Sequence, residues 1–473
     1  MHPPARHPLR RTLAVLAGSA LAVGLLTTAT TGGQAVAEGP GRTAAVPGKA
    51  TATNPVTPGD FTGYGFDQCH TPDQATMDRW LQSSPFLAVG VYMSGASRAC
   101  RDQPNLTATW VQTQLARGWR ILPITLGPQA SCQPRFPRYG NDPKISPLPG
   151  KNNWYGRARS QGRTEAGRAV NAATALRITP GSTLWYDLEG FDLGNRRCRE
   201  SALAFLSAWS TQIRALGYVS GVYSSAGSGI KMLDDARYTE RAGIALPDQI
   251  WLARWDGRAD TTTEARYLRA DGWQPHARVK QYQGGHDERW GGVTINIDRD
   301  FLDVGQGSVG GPERHCNGVR ISLGRYPVLV PANETQKPPR RAVKVLQCLL
   351  QEAGMYRGKL NSFYGNGTQQ AAQAWQARTG APVSTTWSTR NWMSLLVAGD
   401  HPVLKYGSAG PVVRRVQRAL NAAVERTAPL HATGVFDATL TIAVKAYQKS
   451  LRLEQSGVVS TQTWRALMAG RVR

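Results

Sequence analysis

An apolar run, Trp185-Tyr186-Asp187-Leu188-Glu189-Gly190, ends in two carboxylates. If residues 183–189 form a strand, side chains two apart share a face, so Asp187 and Glu189 point the same way. Burial and mutual repulsion raise the pKa of at least one acid in such a pair, and an acid poised in this way serves as a general acid. Other chemistries find less support. The histidines of this half of the chain, His70, His276 and His286, form no HxxxH or HxxE pair, so zinc is not expected. Gly221-Val222-Tyr223-Ser224-Ser225 contains a serine but is not a GxSxG elbow. No glycine-rich phosphate loop occurs, and no cofactor is expected.

The pair needs a scaffold, and residues 61–303 alternate between two patterns. Short apolar runs at 64–67, 87–93, 120–126, 184–189, 219–223, 250–254, 279–283 and 294–298 read as strands. Helix-like stretches at 73–82, 107–117, 163–177 and 199–216 separate many of them, with Asp73 and Thr107 placed to cap two. Strand–helix alternation implies a parallel sheet, and eight strands in about 240 residues fit a (β/α)8 TIM-type barrel. A doubly wound open sheet is the alternative. In the barrel, catalytic groups sit at strand C-termini. Asp67 ends the first predicted strand, Asp187 and Glu189 the fourth, and Asp298 the eighth.

The remaining segments frame this barrel. Arg10-Arg11, an apolar run over 13–26 and Ala35-Val36-Ala37 form an export signal over 1–37, with Tat export permitted by the twin arginines. No later segment is apolar enough to span a bilayer. Residues 38–60 and 304–341 are Gly- and Pro-rich and read as linkers. Export places the six cysteines in an oxidising compartment, where an even count implies disulfides. Cys316 with Cys348 is the natural C-terminal pair; Cys69, Cys100, Cys132 and Cys198 allow three connectivities. The formal charge is +24, and losing Arg6, Arg10 and Arg11 with the signal leaves 24 − 3 = +21. A basic exported protein is drawn to anionic wall polymers. Nucleic acid is not expected, since no basic stripe carries interleaved aromatics.

Beyond 341 the chain repeats itself. Tyr364, Trp375 and Trp392 recur as Phe436, Tyr447 and Trp464 at a constant offset of 72 residues. One small helical module, over 342–399 and again over 402–470, accounts for this. In the second copy the turn Leu404-Lys405-Tyr406-Gly407-Ser408-Ala409-Gly410, Val413, Val416-Gln417, Leu420, Gly434-Val435-Phe436-Asp437, Ala443-Val444, Tyr447-Gln448 and Thr463-Trp464 resemble the peptidoglycan-binding domain of wall hydrolases. The first copy is the poorer match. It lacks the glycine-rich turn, and Trp387 stands where the family has a small residue. The fold expected is thus an α/β barrel followed by two all-α wall-binding modules.

The barrel segment also carries a resemblance. Gly65-Phe66-Asp67-Gln68-Cys69, Gly90-Val91-Tyr92, Asn105-Leu106-Thr107, Gly118-Trp119, 185–189, 221–225 and Ile297-Asp298 are similar to an actinobacterial glycoside-hydrolase-like family. That family was formerly described as domain of unknown function DUF1906. More distantly, the segment resembles GH25-type lysozymes, which carry an early Asp, an Asp-x-Glu pair on the fourth strand and a late Asp. The resemblance implies hydrolysis of a glycosidic bond at an N-acetyl sugar of peptidoglycan. Glu189 would be the general acid, and Asp187 would orient the substrate N-acetyl group for substrate-assisted attack. Asp67 and Asp298 would keep Glu189 protonated. Tyr223, Trp255, Gln281 and Tyr92 are the candidate sugar contacts. Arg254 is placed to pair with the acids and hold them ionised, which would favour binding over catalysis. A non-catalytic glycan-binding wall protein is the alternative function.

Overall fold

The computed structural model describes residues 53–133, 141–333, 337–424 and 428–472. The expected export signal lies outside these residues. Eight strands close a barrel in sequence order. They are β1 (Phe61–Asp67), β2 (Ala88–Ser94), β3 (Arg120–Thr125), β4 (Thr183–Leu188), β5 (Val219–Ser225), β6 (Gln249–Ala253), β7 (Ala277–Trp290) and β8 (Val293–Val304). Pairs from β1–β2 to β6–β7 are parallel, but β8 runs antiparallel to both β7 and β1. The barrel is therefore closed as expected, while its last strand departs from the (β/α)8 repeat. The local cause is Gly291-Gly292, both with positive φ (56° and 84°), which turn Trp290 directly back into Val293. A two-residue turn leaves no room for the crossover helix that a parallel strand needs.

Helices α1 (Gln74–Ser83), α2 (Ala108–Ala116), α3 (Gly156–Ala175), α4 (Arg196–Ala215) and α5 (Lys231–Tyr238) pack around the sheet. Asp73 and Thr107 cap α1 and α2 as expected, accepting from Thr76 N at 2.7 Å and Trp110 N at 3.1 Å. The parallel strands read as near-continuous apolar runs because helices cover the outer face and side chains fill the inner one. Phe66, Val89, Ile121, Trp185, Val222 and Trp251 belong to this core.

After β8 come two sets of three helices: α6 (Arg340–Glu352), α7 (Asn366–Arg378), α8 (Thr389–Leu396), then α9 (Pro411–Ala423), α10 (Ala438–Ser450), α11 (Thr461–Met468). The two sets share lengths of 13, 13 and 8 residues. The glutamines of the repeat brace loops. Gln376 receives Ser384 N and donates to Thr386 O, and Gln448 does the same with Gly457 N and Val458 O.

The second module docks on the barrel through its opening turn. Lys405 is 1% exposed, and its Nζ donates to Ser84 O (2.8 Å) and Phe86 O (3.1 Å), just beyond the C-terminus of α1. Burial depresses its pKa, while the carbonyl acceptors favour the ammonium. Tyr406 packs edge-on to Tyr64, Ser308 Oγ donates to Gly407 O at 2.7 Å, and Arg414 donates to Gly310 O at 2.9 Å. Disulfides join Cys69–Cys100, Cys132–Cys198 and Cys316–Cys348, so the expected C-terminal pair forms and one of the three N-terminal connectivities is selected. No described helix is long and apolar enough to cross a membrane.

Candidate active site

The strand ends and their loops enclose an open cavity of about 650 Å³. Seven of the eight residues singled out in the sequence line it: Asp67, Tyr92, Glu189, Tyr223, Trp255, Gln281 and Asp298. Asp187 does not. β4 ends at Leu188, so Glu189 belongs to the following loop and the strict strand alternation that paired the two acids stops one residue early. Asp187 is 2% exposed beneath the wall, with the Tyr92 hydroxyl 3.5 Å from its Oδ2. Gln129 spans this bend: Nε2 donates to Asp187 O, and Oε1 accepts from Glu189 N, both at 2.9 Å.

The antiparallel β8 delivers Asp298 from the opposite direction to that expected. It is the register partner of Asp67. Cross-strand partners project to the same side, so the two carboxyls are neighbours. One step deeper, Asp300 is fully buried, and Trp251 Nε1 donates to its Oδ1 at 3.0 Å. The sequence reading missed Asp300, although its spacing of two from Asp298 is the signal that singled out 187 and 189.

Gln281 ties the acids together. Its Oε1 accepts from Tyr223 Oη (3.1 Å) and Trp255 Nε1 (2.9 Å). An indole N–H can only donate, so the amide orientation is fixed and Nε2 must face the carboxylates. It donates to Asp67 Oδ2 at 3.0 Å and Asp298 Oδ2 at 3.3 Å. Trp255 is 64% exposed. Its ring lies across Gly284, where a Cβ would come within 2.3 Å of it, so only glycine admits this approach.

Desolvation is the main force on these acids. Burial pushes Asp67 up to about 6 against the opposing hydrogen bond from Gln281. Burial, and then the charge of Asp67, pushes Asp298 up to about 8, with Glu189 adding to the rise. Burial together with the charges of Asp67 and Asp298 raises Asp300 well above the carboxylate range. The cluster thus retains protons at neutral pH. The Tyr92 and Tyr223 phenols are also raised by burial and the nearby acids, and both remain donors.

Arg254 does not cap the cluster. Its guanidinium binds Glu264 in a bidentate pair, Nε–Oε2 at 3.0 Å and Nη2–Oε1 at 2.5 Å. Among the described residues no arginine or lysine forms an ion pair with Asp67, Asp298 or Asp300. Arg98, Tyr267 and Asn296 also line the cavity. Arg98 and Tyr267 stand on irregular loops, where periodicity gives no warning, whereas Asn296 lies on β8 two residues before Asp298 and that spacing was its signal. The one described cluster with metal-ligand proximity is Cys316, Cys348 and Glu352, whose sulfurs are bonded to each other.

Residues 78–302 match the model of the Rv2525c-like, glycoside hydrolase-like domain, and residues 409–467 match the peptidoglycan binding domain model, PG_binding_1. No curated protein matches the chain. The solved structures similar over about half of it include the following three. An uncharacterized B. stearothermophilus protein is 19% identical, with 51% of this chain and 95% of that one covered and a TM-score of 0.32. The Mycobacterium tuberculosis Tat-secreted protein Rv2525c, in complex with L-tartrate, is 16% identical over 51% and 95%, with a TM-score of 0.34. A family 25 glycosyl hydrolase from Bacillus anthracis is 12% identical over 52% and 91%, with a TM-score of 0.30. Residues 78–302 thus form an Rv2525c-like, glycoside hydrolase-like domain and residues 409–467 a peptidoglycan binding domain, in a protein related to cell-wall glycan.

Proposed function

We propose that this is an exported wall protein whose barrel hydrolyses a glycosidic bond at an N-acetyl sugar of peptidoglycan while the C-terminal modules hold it on the wall. One observation carries the reading: an open cavity presents Glu189, Asp67 and Asp298 together, Gln281 bridges the two aspartates, and Arg254 is taken up by Glu264. Glycoside hydrolysis needs one protonated carboxyl at the leaving oxygen and negative charge near the oxocarbenium-like centre. Glu189 hands its proton to the leaving oxygen as the glycosidic bond breaks, and the water that adds at the anomeric carbon releases the proton that restores it; Asp298, which stays protonated at neutral pH, limits the negative charge around Glu189. Trp255 offers its exposed ring to a sugar face, and the Tyr223 and Tyr92 hydroxyls border the same space. Asp187 acts through Tyr92 and is a positioning residue. Three disulfides fit an oxidising, extracellular address.

The recessed position of Asp187 favours a second reading, saccharide binding without turnover. Reducing-end release from isolated wall glycan separates the two. Glu189→Gln is expected to lower release at least about a hundredfold, the scale of a lost general acid. Equal release by wild type and variant would remove Glu189 from its role. No release by either, with glycan still bound, would leave the binding reading.

A further inference from the structure

We infer that Arg98 is a recognition residue for a sugar carboxylate, and that the preferred ligand is a wall saccharide whose muramic lactyl groups are free acids. The inference rests on the saccharide reading of the cavity and deepens it. Arg98 lines the cavity from the loop after β2. Nε donates to Gly95 O at 3.0 Å and Nη1 to Tyr92 O at 2.9 Å, which aims the guanidinium. The rim that carries it is stiff. Cys69–Cys100 crosslinks it, and Gln103 Nε2 donates to Cys69 O and Cys100 O at 2.7 and 3.0 Å.

Among the described residues Arg98 forms no ion pair; burial, and then the neighbouring charge of Arg101, lowers its pKa. The other cavity guanidinium, Arg254, is occupied by Glu264. A partly buried guanidinium held on two neutral carbonyls favours an anion that brings its own charge, and a carboxylate matches its planar fork. The acids on β1, β8 and the β4 end disfavour anions on their side of the cavity, so this contact orients the ligand. In wall glycan the carboxylate belongs to muramic acid, and it is masked wherever a peptide stem is amide-linked. An amide-hydrolysing reaction that strips the stem must therefore precede this step.

The test measures dissociation constants of the full chain by calorimetry. One ligand is a tetrasaccharide of alternating N-acetylglucosamine and N-acetylmuramic acid with free lactyl carboxylates. Its control is the same compound with those carboxylates reduced to alcohols. A glucuronate-containing tetrasaccharide and its reduced form make a second pair. Wild type is expected to bind the free muramic acid form about tenfold more tightly than its control, the scale of one charge-assisted contact. Arg98→Met removes that preference without weakening the reduced form, and Arg98→Lys keeps part of it. Equal affinities in wild type overturn the inference without recourse to a variant, and so does a preference that survives Arg98→Met. A preference confined to the glucuronate pair overturns the muramic assignment. A carboxylate preference without reducing-end release sinks the hydrolase reading and leaves this inference standing.

Discussion

Gln281→Leu removes the amide that joins the acids to the aromatic wall while keeping its approximate volume. Gln281 Nε2 lies 3.0 Å from Asp67 and 3.3 Å from Asp298, so Asp67 loses the shorter bond. A hydrogen bond to a charged group contributes about 1.5 kcal/mol at the low end, and each pKa unit corresponds to about 1.4 kcal/mol. Asp67, already raised to about 6, should therefore move to about 7. At pH 6 its ionised fraction would fall from about one half to about one tenth. Carboxyl-carbon NMR titration of wild type and variant reads this shift directly. The pH profile of reducing-end release should move upward with it. Trp255 loses its acceptor in the same variant, so its fluorescence should shift as the indole is freed. An unchanged Asp67 titration alongside a changed Trp255 signal would refute the coupling, because the amide would then orient the tryptophan without tuning the acid.

Stability should also report on the cluster. Asp67 and Asp298 have folded pKa values of about 6 and about 8 against the ordinary 3.8, so the folded chain binds more protons than the unfolded chain between those limits. The protonated carboxyls' contribution is complete below about pH 4 and is lost as pH rises through 6 and then 8. A melting temperature that falls across this window in wild type, with a shallower fall in Asp298→Asn, is the expected result; parallel slopes would count against it. Lys405→Met leaves Ser84 O and Phe86 O without their buried donor. At about 1–3 kcal/mol for each unsatisfied group, calorimetry should show melting several degrees lower. Unchanged melting would mean that Tyr406, Ser308 and Arg414 hold the module by themselves.

Much of the framework was legible in order along the chain. Eight strand-like runs, two helix caps and a 72-residue repeat are local patterns, and local hydrogen bonding and hydrophobic periodicity produce them. The candidate acids were legible because charged residues inside apolar runs are costly and therefore conspicuous. Asp300 was equally visible as the second acid of a two-residue spacing. The path of β8 was misread although its signal is local: the Gly291-Gly292 link admits a hairpin and no crossover helix, but the predicted runs at 279–283 and 294–298 stopped short of that turn.

What the sequence determined by itself was the inventory: the eight strand runs and four of the barrel helices (but not α5), that the helical module recurs, and which acids interrupt the apolar pattern. Only the tertiary structure decided that Asp298 faces Asp67 across an antiparallel register, that Gln281 bridges them, and that Arg254 turns to Glu264 while Arg98 lines the cavity. These facts join residues far apart in the chain, from 67 to 298 in the widest case. Periodicity reports the neighbours along a strand or helix, whereas the protonation of a carboxyl depends on neighbours and burial that exist only once the barrel has closed.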